Sequence, residues 1–350
     1  MRVVVAMSGG VDSSAAAALL KEQGHEVIGI TLRVWSYESK AQCGSCCSPD
    51  DIDDARRVAE KLDIPFYVAN VEDLFKERVV TPFVQSYLNG KTPIPCVSCN
   101  EDVKFGFLLK RARSLGAKLA TGHYARVETR DDGRYVLRRG VDAAKDQSYF
   151  LFTLGQDELK DVLFPIGHLA KPEVRAIAER HGLITSAKPE SMEICFVPNG
   201  DYAQFVEKVA GAQPKGDVVS TDGEVLGTHD GIHRFTIGQR RGLPVPAQGE
   251  PMYVQRIEAE TRTVVVGPAD VIARQSFHLL RPRWVDGAAP VDRSLQIRIR
   301  HRHLGTAGRV SIDGDGHVAV RLETPAKAVT PGQAAVFYDG DTVVGGGWIL

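Results

Sequence analysis

The sequence predicts a doubly wound α/β domain on a parallel sheet, followed by a small central β-rich unit and a third β unit. Three observations carry that prediction. Apolar runs of strand length alternate with helical stretches of about three turns through the first half of the chain. A loop rich in glycine and serine, "MSGGVDSS", joins the first apolar run to the first helix. Beyond about residue 205 helices give way to short strands separated by Gly, Pro and Asp. A chain of 350 residues is long enough for two or three cores, and the expected divisions are 1–204, 205–275 and 276–350.

Taken in order, "RVVVAM" reads as a buried strand and "DSSAAAALLKEQG" as a helix that starts near Asp12 or Ser13 and stops at Gly24. "EVIGITL" is a second strand. "PDDIDDARRVAEKLDIP" is a helix with acids in its first turn and Pro65 closing it, and "FYVAN" is a third strand. "NEDVKFGFLLKRARSLGA" is expected to be a helix capped by Asn100, and "KLATGHY" a further strand. Strands separated by helices imply right-handed crossovers. "ARVETRDDGRYVLRRG" reads as a hairpin turning at Asp131-Asp132-Gly133, and "KPEVRAIAERHGL" as a helix with Pro172 in its first turn and Gly182 beyond its last.

In the central stretch "EVLGTH", "HRFTIG", "MYVQRIE" and "RTVVVG" read as strands. After about residue 276, "SLQIRIRHRHL", "GRVSIDGDGHVAVRLE" and "AAVFYDGDTVVGGGWI" are evenly spaced strands with turns at Asp313-Gly314 and Asp339-Gly340. That spacing suits a small barrel or sandwich. Alternation in "IRIRHRH" would place Arg298, Arg300 and Arg302 on one face, and Arg234, Arg240 and Arg241 add charge in "HRFTIGQRRGL".

The formal net charge is −1, so any polyanionic partner must be met by such local patches. No apolar stretch approaches the roughly 20 residues that span a bilayer, and no signal-peptide pattern is present. A cytoplasmic, reducing environment is therefore expected, where structural disulfides are rare. All six cysteines nevertheless cluster: Cys43, Cys46 and Cys47; Cys96 and Cys99; and Cys195. Thiols used as small apolar residues would scatter, so clustering points to metal or sulfur chemistry.

In a parallel sheet, anions sit at the carboxyl ends of strands against helix N-termini, which is where residues 8–13 fall. The glycines let backbone N–H groups approach an anion, and Ser8, Ser13 and Ser14 add hydroxyls. The loop lacks the Gly-Lys-Ser/Thr of a Walker A motif and does not fit G-x-G-x-x-G. A plain glycine turn with capping serines is the alternative. Cys99, just ahead of the helix expected to begin at Asn100, would have its thiolate stabilised by the helix terminus and is a candidate nucleophile. With Cys195 it forms a candidate reactive pair, one thiol carrying sulfur as a persulfide and the other attacking it; alone, Cys195 would read as a core residue. The two CxxC units, Cys43/Cys46 and Cys96/Cys99, also match the count of a Cys₄ zinc site. Cys96, Cys99 and Cys195 match an iron–sulfur cluster with one open iron.

The loop resembles the SGGxDS pyrophosphate loop of the PP-loop ATPases, which cleave ATP between its α and β phosphates and adenylate a substrate. "AMSGGVDSS", "PCVSCNEDVKF", "ATGHYARV", "KDQSYFL", "ICFVPNGDY", "HRFTIGQRRGL" and "TPGQAAVFYDGDTVVGGG" occur in the order seen in tRNA-specific 2-thiouridylases, a resemblance that runs essentially from residue 1 to 350. It implies an adenine nucleotide alpha hydrolase-like catalytic domain and a C-terminal β-barrel that binds tRNA. The implied activity is ATP-dependent thiolation of C2 of the wobble uridine, with a protein that relays persulfide sulfur as partner. A monomer is expected.

Carried over by position, the resemblance implies that Ala6, Met7, Ser8, Gly9, Gly10, Val11, Asp12 and Ser13, with Leu32 and Gly122, bind ATP, and that Asp12 attends Mg²⁺ and pyrophosphate. Cys99 matches the nucleophile and Cys195 the persulfide carrier, a pair that closes to a disulfide in the cycle. Ile94, Pro95 and Cys96 match the segment facing the target base. His123, Lys145, Asp146, Gln147, Arg300, His301 and Gln333 match tRNA-contacting positions. Some members carry Asp where this chain has Cys96, and the carboxylate is assigned acid/base work there, so that role falls here to a thiol or to another group. Cys43, Cys46 and Cys47 stand outside the implied catalytic set.

Overall fold

The computed structural model describes residues 1–35, 49–190, 194–245 and 250–350, which form three sheets. Cys43, Cys46 and Cys47, and with them the Cys₄ zinc reading, lie outside the described residues. The first sheet has the order β3-β2-β1-β4-β7, from β1 (Arg2–Ala6), β2 (Glu26–Arg33), β3 (Phe66–Asn70), β4 (Lys118–Thr121) and β7 (Val162–Leu163). All four pairings are parallel. The chain winds outward from β1 through β3, then crosses to the other side at β4. The winding reverses between β1 and β4, and residues leaving the carboxyl ends of both strands line one cavity.

Strand period and helix composition explain the layers. Val3 and Val5 face one side, against the alanines Ala15–Ala18 of α1 (Val11–Glu22) and against Val174, Ile177 and Ala178 of the helix Lys171–Arg180. Val4 faces the other side, where it joins Phe75, Phe83, Val97 and Leu108 from the helical stretches 72–88 and 95–114. Four consecutive fully buried alanines let α1 lie close on the sheet.

The second sheet, β10-β11-β8-β9, is small. It comprises β8 (Gly216–Ser220), β9 (Val225–His229), β10 (Tyr253–Glu258) and β11 (Thr263–Gly267). The third contains a closed six-stranded barrel, β12-β15-β14-β13-β16-β17, because β17 pairs back onto β12. Its strands are β12 (Ala273–Trp284), β13 (Leu295–Arg298), β14 (Thr306–Ile312), β15 (Val318–Lys327), β16 (Ala334–Asp339) and β17 (Thr342–Ile349). β17 is shared. Its start pairs with β6 (Tyr135–Arg139), which continues into β5 (Ala125–Thr129), so the early hairpin is an annex of the barrel.

Three local expectations are corrected. The helix expected to start at Asn100 begins at Pro95, whose fixed φ suits a first helical position, and it runs through a π-wound stretch, Cys99–Leu108, to Ser114. Asn100 is buried and donates through Nδ2 to the Phe150 carbonyl at 3.0 Å instead of capping. "HRFTIG" is a short 3₁₀ turn, Ile232–Arg234, followed by irregular chain; His233 is fully buried and bonded to Glu207 at 3.0 Å. The strand in "IRIRHRH" stops at Arg298, whose guanidinium turns inward and donates to the carbonyls of His301 and His303. Arg298, Arg300 and Arg302 therefore do not form a strand face.

Candidate functional site

The glycine loop is held by its own sequence. Thr31 Oγ1 on β2 donates to the Met7 carbonyl at 2.7 Å, and Ser8 N donates to Ser13 Oγ at 3.1 Å. The hydroxyls of Ser13 and Ser14 both donate to the Gly10 carbonyl, at 3.1 and 2.9 Å. Ser14 is fully buried, so its hydroxyl braces the loop and does not face the crevice. Gly9 has φ +72°, and a Cβ there would stand 2.1 Å from the Asp51 carbonyl oxygen. Gly122, just beyond β4, is as tightly placed: a Cβ would lie 2.7 Å from Asp12 C and Ser13 N.

Charge surrounds the loop. Lys188 Nζ donates to the Gly9 carbonyl at 2.9 Å and to Asp51 and Asp54 at 2.7 and 2.5 Å. Burial works to lower the Lys188 pKa, but these two carboxylates outweigh it and hold it above the usual lysine value. Asp12 accepts from Tyr124 Oη at 2.8 Å and from Lys171 Nζ at 2.7 and 3.0 Å. Burial, then the Asp12 charge, raise the Tyr124 phenol far above its ordinary value, so it stays a donor.

A cavity of about 400 Å³ opens on this loop. Ala6, Met7, Ser8, Gly10, Val11, Asp12 and Ser13 line it, with Leu32 and Gly122; Gly9 lies behind the surface, under Asp51. Cys96, Cys99 and Cys195 line the same cavity, Cys96 exposed and the other two half-buried. Positions nearly a hundred residues apart in sequence thus line one cavity. Cys96 lies in the first turn of the helix from Pro95 and Cys99 one turn further in, so Cys99 does not stand ahead of a helix start as expected. Cys195 is fixed by its neighbour: Phe196 packs edge-on against Phe75 and Phe83, with ring centroids 5.5 and 5.1 Å apart. The only group of three or more Cys, His, Asp or Glu with ligand atoms all within 4.8 Å of one another, among the described residues, is Asp313, Asp315 and His317 at a barrel turn. The three thiols therefore do not converge on a single-ion site.

Of the remaining expected residues, Pro95, His123, Lys145 and Gln147 line the cavity. His123 is buried against Phe105 and Phe164, with Nδ1 2.6 Å from Thr121 Oγ1. Burial, reinforced by Lys104, holds its pKa well below 6.5, so the ring is neutral. Gln147 Oε1 accepts from Tyr124 N at 3.1 Å, which ties its loop to the end of β4. Asp146 is buried behind that loop: it accepts from Gly140 N and Ser148 N and pairs with Arg298 at 3.4 Å. His301 lies over Phe150 at 4.6 Å and reaches the Asp146 carbonyl at 3.3 Å. Ile94 packs against the core beside the helix start. Gln333 donates to the carbonyls of Thr92 and Pro93, at 3.0 and 3.3 Å, and so holds the chain that leads into Cys96. Arg300 is exposed on the barrel and donates to the Lys327 carbonyl.

Sequence reasoning missed Lys171, Lys188, Glu190 and Tyr124, which also line the cavity. One signal was available. Lys171 occupies the first position of its helix, where the dipole disfavours a cation; a buried lysine there requires an anion nearby.

Three family models match the chain in succession: a tRNA methyl transferase HUP domain over residues 1–199, a tRNA methyl transferase PRC-barrel domain over 203–268, and an aminomethyltransferase beta-barrel domain over 274–349. A tRNA-specific 2-thiouridylase MnmA from Geotalea uraniireducens is 53% identical over 99% of this chain and 94% of its own length. The protein of the same name from Geobacter metallireducens is 52% identical over 99% and 96%. That from Rhodospirillum centenum is 51% identical over 100% and 91%.

Proposed function

This chain belongs to the family of tRNA-specific 2-thiouridylases, and from that membership we propose that it thiolates C2 of the wobble uridine of tRNA at the expense of ATP. The observation that carries the reading is the cavity that the glycine loop and three thiols line together. In the proposed division of labour, residues 1–204 adenylate while 205–275 and 276–350 seat the tRNA.

Phosphates of ATP rest on the loop N–H groups and the adenine lies toward Leu32 and Gly122. The C2 oxygen of the uridine attacks the α-phosphate and pyrophosphate leaves. Asp12, whose carboxylate oxygens both accept from Lys171, is the residue that would hold Mg²⁺ on exchanging that contact, and the ion would supply positive charge to the departing pyrophosphate. The terminal sulfur of a Cys195 persulfide then adds to C2 and AMP departs, leaving Cys195 joined to C2 through two sulfurs. Cys99 thiolate attacks Cys195 Sγ. The S–S bond breaks toward the base, C2 keeps its sulfur, and Cys99 and Cys195 close to a disulfide that an external thiol reduces. A persulfide-carrying protein must load Cys195. His123 is neutral and can only donate to or accept from the base, so proton transfer near the nucleophile falls to Cys96 or to water. A base extruded from its stack exposes C2 to these groups.

Cys99→Ser and Cys195→Ser are expected to abolish 2-thiouridine while leaving ATP binding within about twofold. Mass spectrometry of tRNA digests from a complemented deletion strain reads the first, calorimetry the second; normal thiolation with either variant would refute the assignment. A rival stands on the same three thiols, as ligands of an iron–sulfur cluster with an open iron, and one anaerobic absorption spectrum of active protein separates the two. A PP-loop enzyme acting on a small substrate would release AMP without tRNA. No helix among the described residues is long and apolar enough to cross a membrane. We further propose that the protein works as a monomer in the cytoplasm, where its tRNA substrate is.

A further inference from the structure

Three cations converge on one carboxylate in the cavity wall. Glu190 receives Lys145 Nζ at 2.6 Å and Lys171 Nζ at 3.1 Å, with Arg175 at 3.9 Å. The Lys171 side chain is only 9% exposed, and its Nζ also touches both carboxylate oxygens of Asp12 in the glycine loop. Lys145 comes from the loop after β6, Lys171 and Arg175 from one helix, and Glu190 from the chain beyond that helix.

Stability is a poor explanation for this arrangement. Partly buried ion pairs seldom repay their desolvation, and replacing them with apolar residues is often neutral. Position explains it better. Lys171 stands between Glu190 and the loop on which phosphates are expected to rest, and a carboxylate and a phosphoryl group offer an ammonium the same pair of anionic oxygens. We propose that Lys145 and Lys171 form a subsite for the β- and γ-phosphoryl groups of the nucleotide, and that Glu190 fills it as an internal anion.

This rests on the reading that the cavity binds ATP. Burial works to raise the Glu190 carboxyl, but Lys145 and Lys171 outweigh it and hold it below its ordinary range, so it is an anion at neutral pH. A nucleotide has to displace it, and apparent affinity falls by the fraction of molecules in which Glu190 is seated. The device discriminates: a full triphosphate on the loop outcompetes the carboxylate, whereas free phosphate does not.

Isothermal titration at fixed ionic strength, with inorganic pyrophosphate and a non-hydrolysable ATP analogue as separate probes, tests this on wild type, Glu190→Gln, Glu190→Asp and Lys171→Met. Glu190→Gln is expected to bind both probes about tenfold more tightly, Glu190→Asp to stay near wild type, and Lys171→Met to bind both at least tenfold more weakly. A Glu190→Gln protein that melts normally but binds pyrophosphate no tighter than wild type would overturn the inference, with the ATP reading intact. Wild type that ignores the ATP analogue would sink the ATP reading itself, and the subsite with it. If Glu190→Gln tightens binding of an anticodon stem-loop but not of pyrophosphate, the subsite serves RNA phosphates and the nucleotide assignment is wrong.

Discussion

At Gly122 one methyl group decides between a working and a blocked loop, since it would press on Asp12 and Ser13 backbone atoms that cannot yield. Gly122→Ala is expected to weaken ATP binding at least tenfold while lowering the melting temperature by only a few degrees, because the collision lies at the cavity edge and not in the core. Calorimetric titration beside a thermal melt checks both halves. His123 makes a pH prediction. Its pKa is depressed in the folded protein and 6.5 when exposed, so below pH 6.5 the unfolded chain takes up a proton that the folded one refuses. The stabilisation it contributes is complete above that pH and is lost as pH falls. His123→Leu should flatten the urea midpoint between pH 7 and 5.5 relative to wild type. The glycine loop was legible because its groups are adjacent in sequence. The charges around it were not: Lys171 meets Asp12 across 159 residues, and Lys188 meets Gly9 across 179.

Among the elements, apolar strands buried on both faces, such as β1, were readable from composition, since nothing else tolerates that environment. Boundaries set by side chains failed. Arg298 ends its strand by satisfying carbonyls of the next turn, and it also pairs with Asp146 and lies 5.7 Å over the Tyr149 ring. No alternation rule contains that information. Pro95 overrode a plausible asparagine cap and moved the helix start by five residues. The stretch before it is tethered from outside, as Gln333 holds two carbonyls there and Thr92 N donates to the Pro331 carbonyl at 2.9 Å. Gln333→Ala is expected to lower kcat for tRNA thiolation about tenfold while leaving the KM for ATP unchanged, because the tether governs the Cys96 segment and does not touch the glycine loop. Steady-state kinetics with each substrate varied in turn decides it.

For the whole molecule, a change of pattern near residue 205 and another near 275 are visible in the sequence. Interdependence was not visible. Ala334, Val336, Tyr338 and Val343 of the barrel share a buried cluster with Val97, Leu108 and Phe152 from the first half. Arg126 and Arg138 of the hairpin both pair with Asp341 in the β16–β17 turn, at 2.6 and 2.5 Å. A fragment ending at residue 275 is therefore expected to aggregate, having lost the partner of β6 and one wall of that cluster; size-exclusion chromatography gives the answer, and a soluble monomer would contradict it.

Along the edge that faces away from β16, one strand, β17, serves two neighbours: its beginning continues the hairpin and its end seals the barrel. A module so spliced cannot be exchanged like a cassette. Any lineage that replaced the barrel would have to rebuild part of the wall behind Cys99 and Cys195 at the same time, which makes recombination at that seam costly.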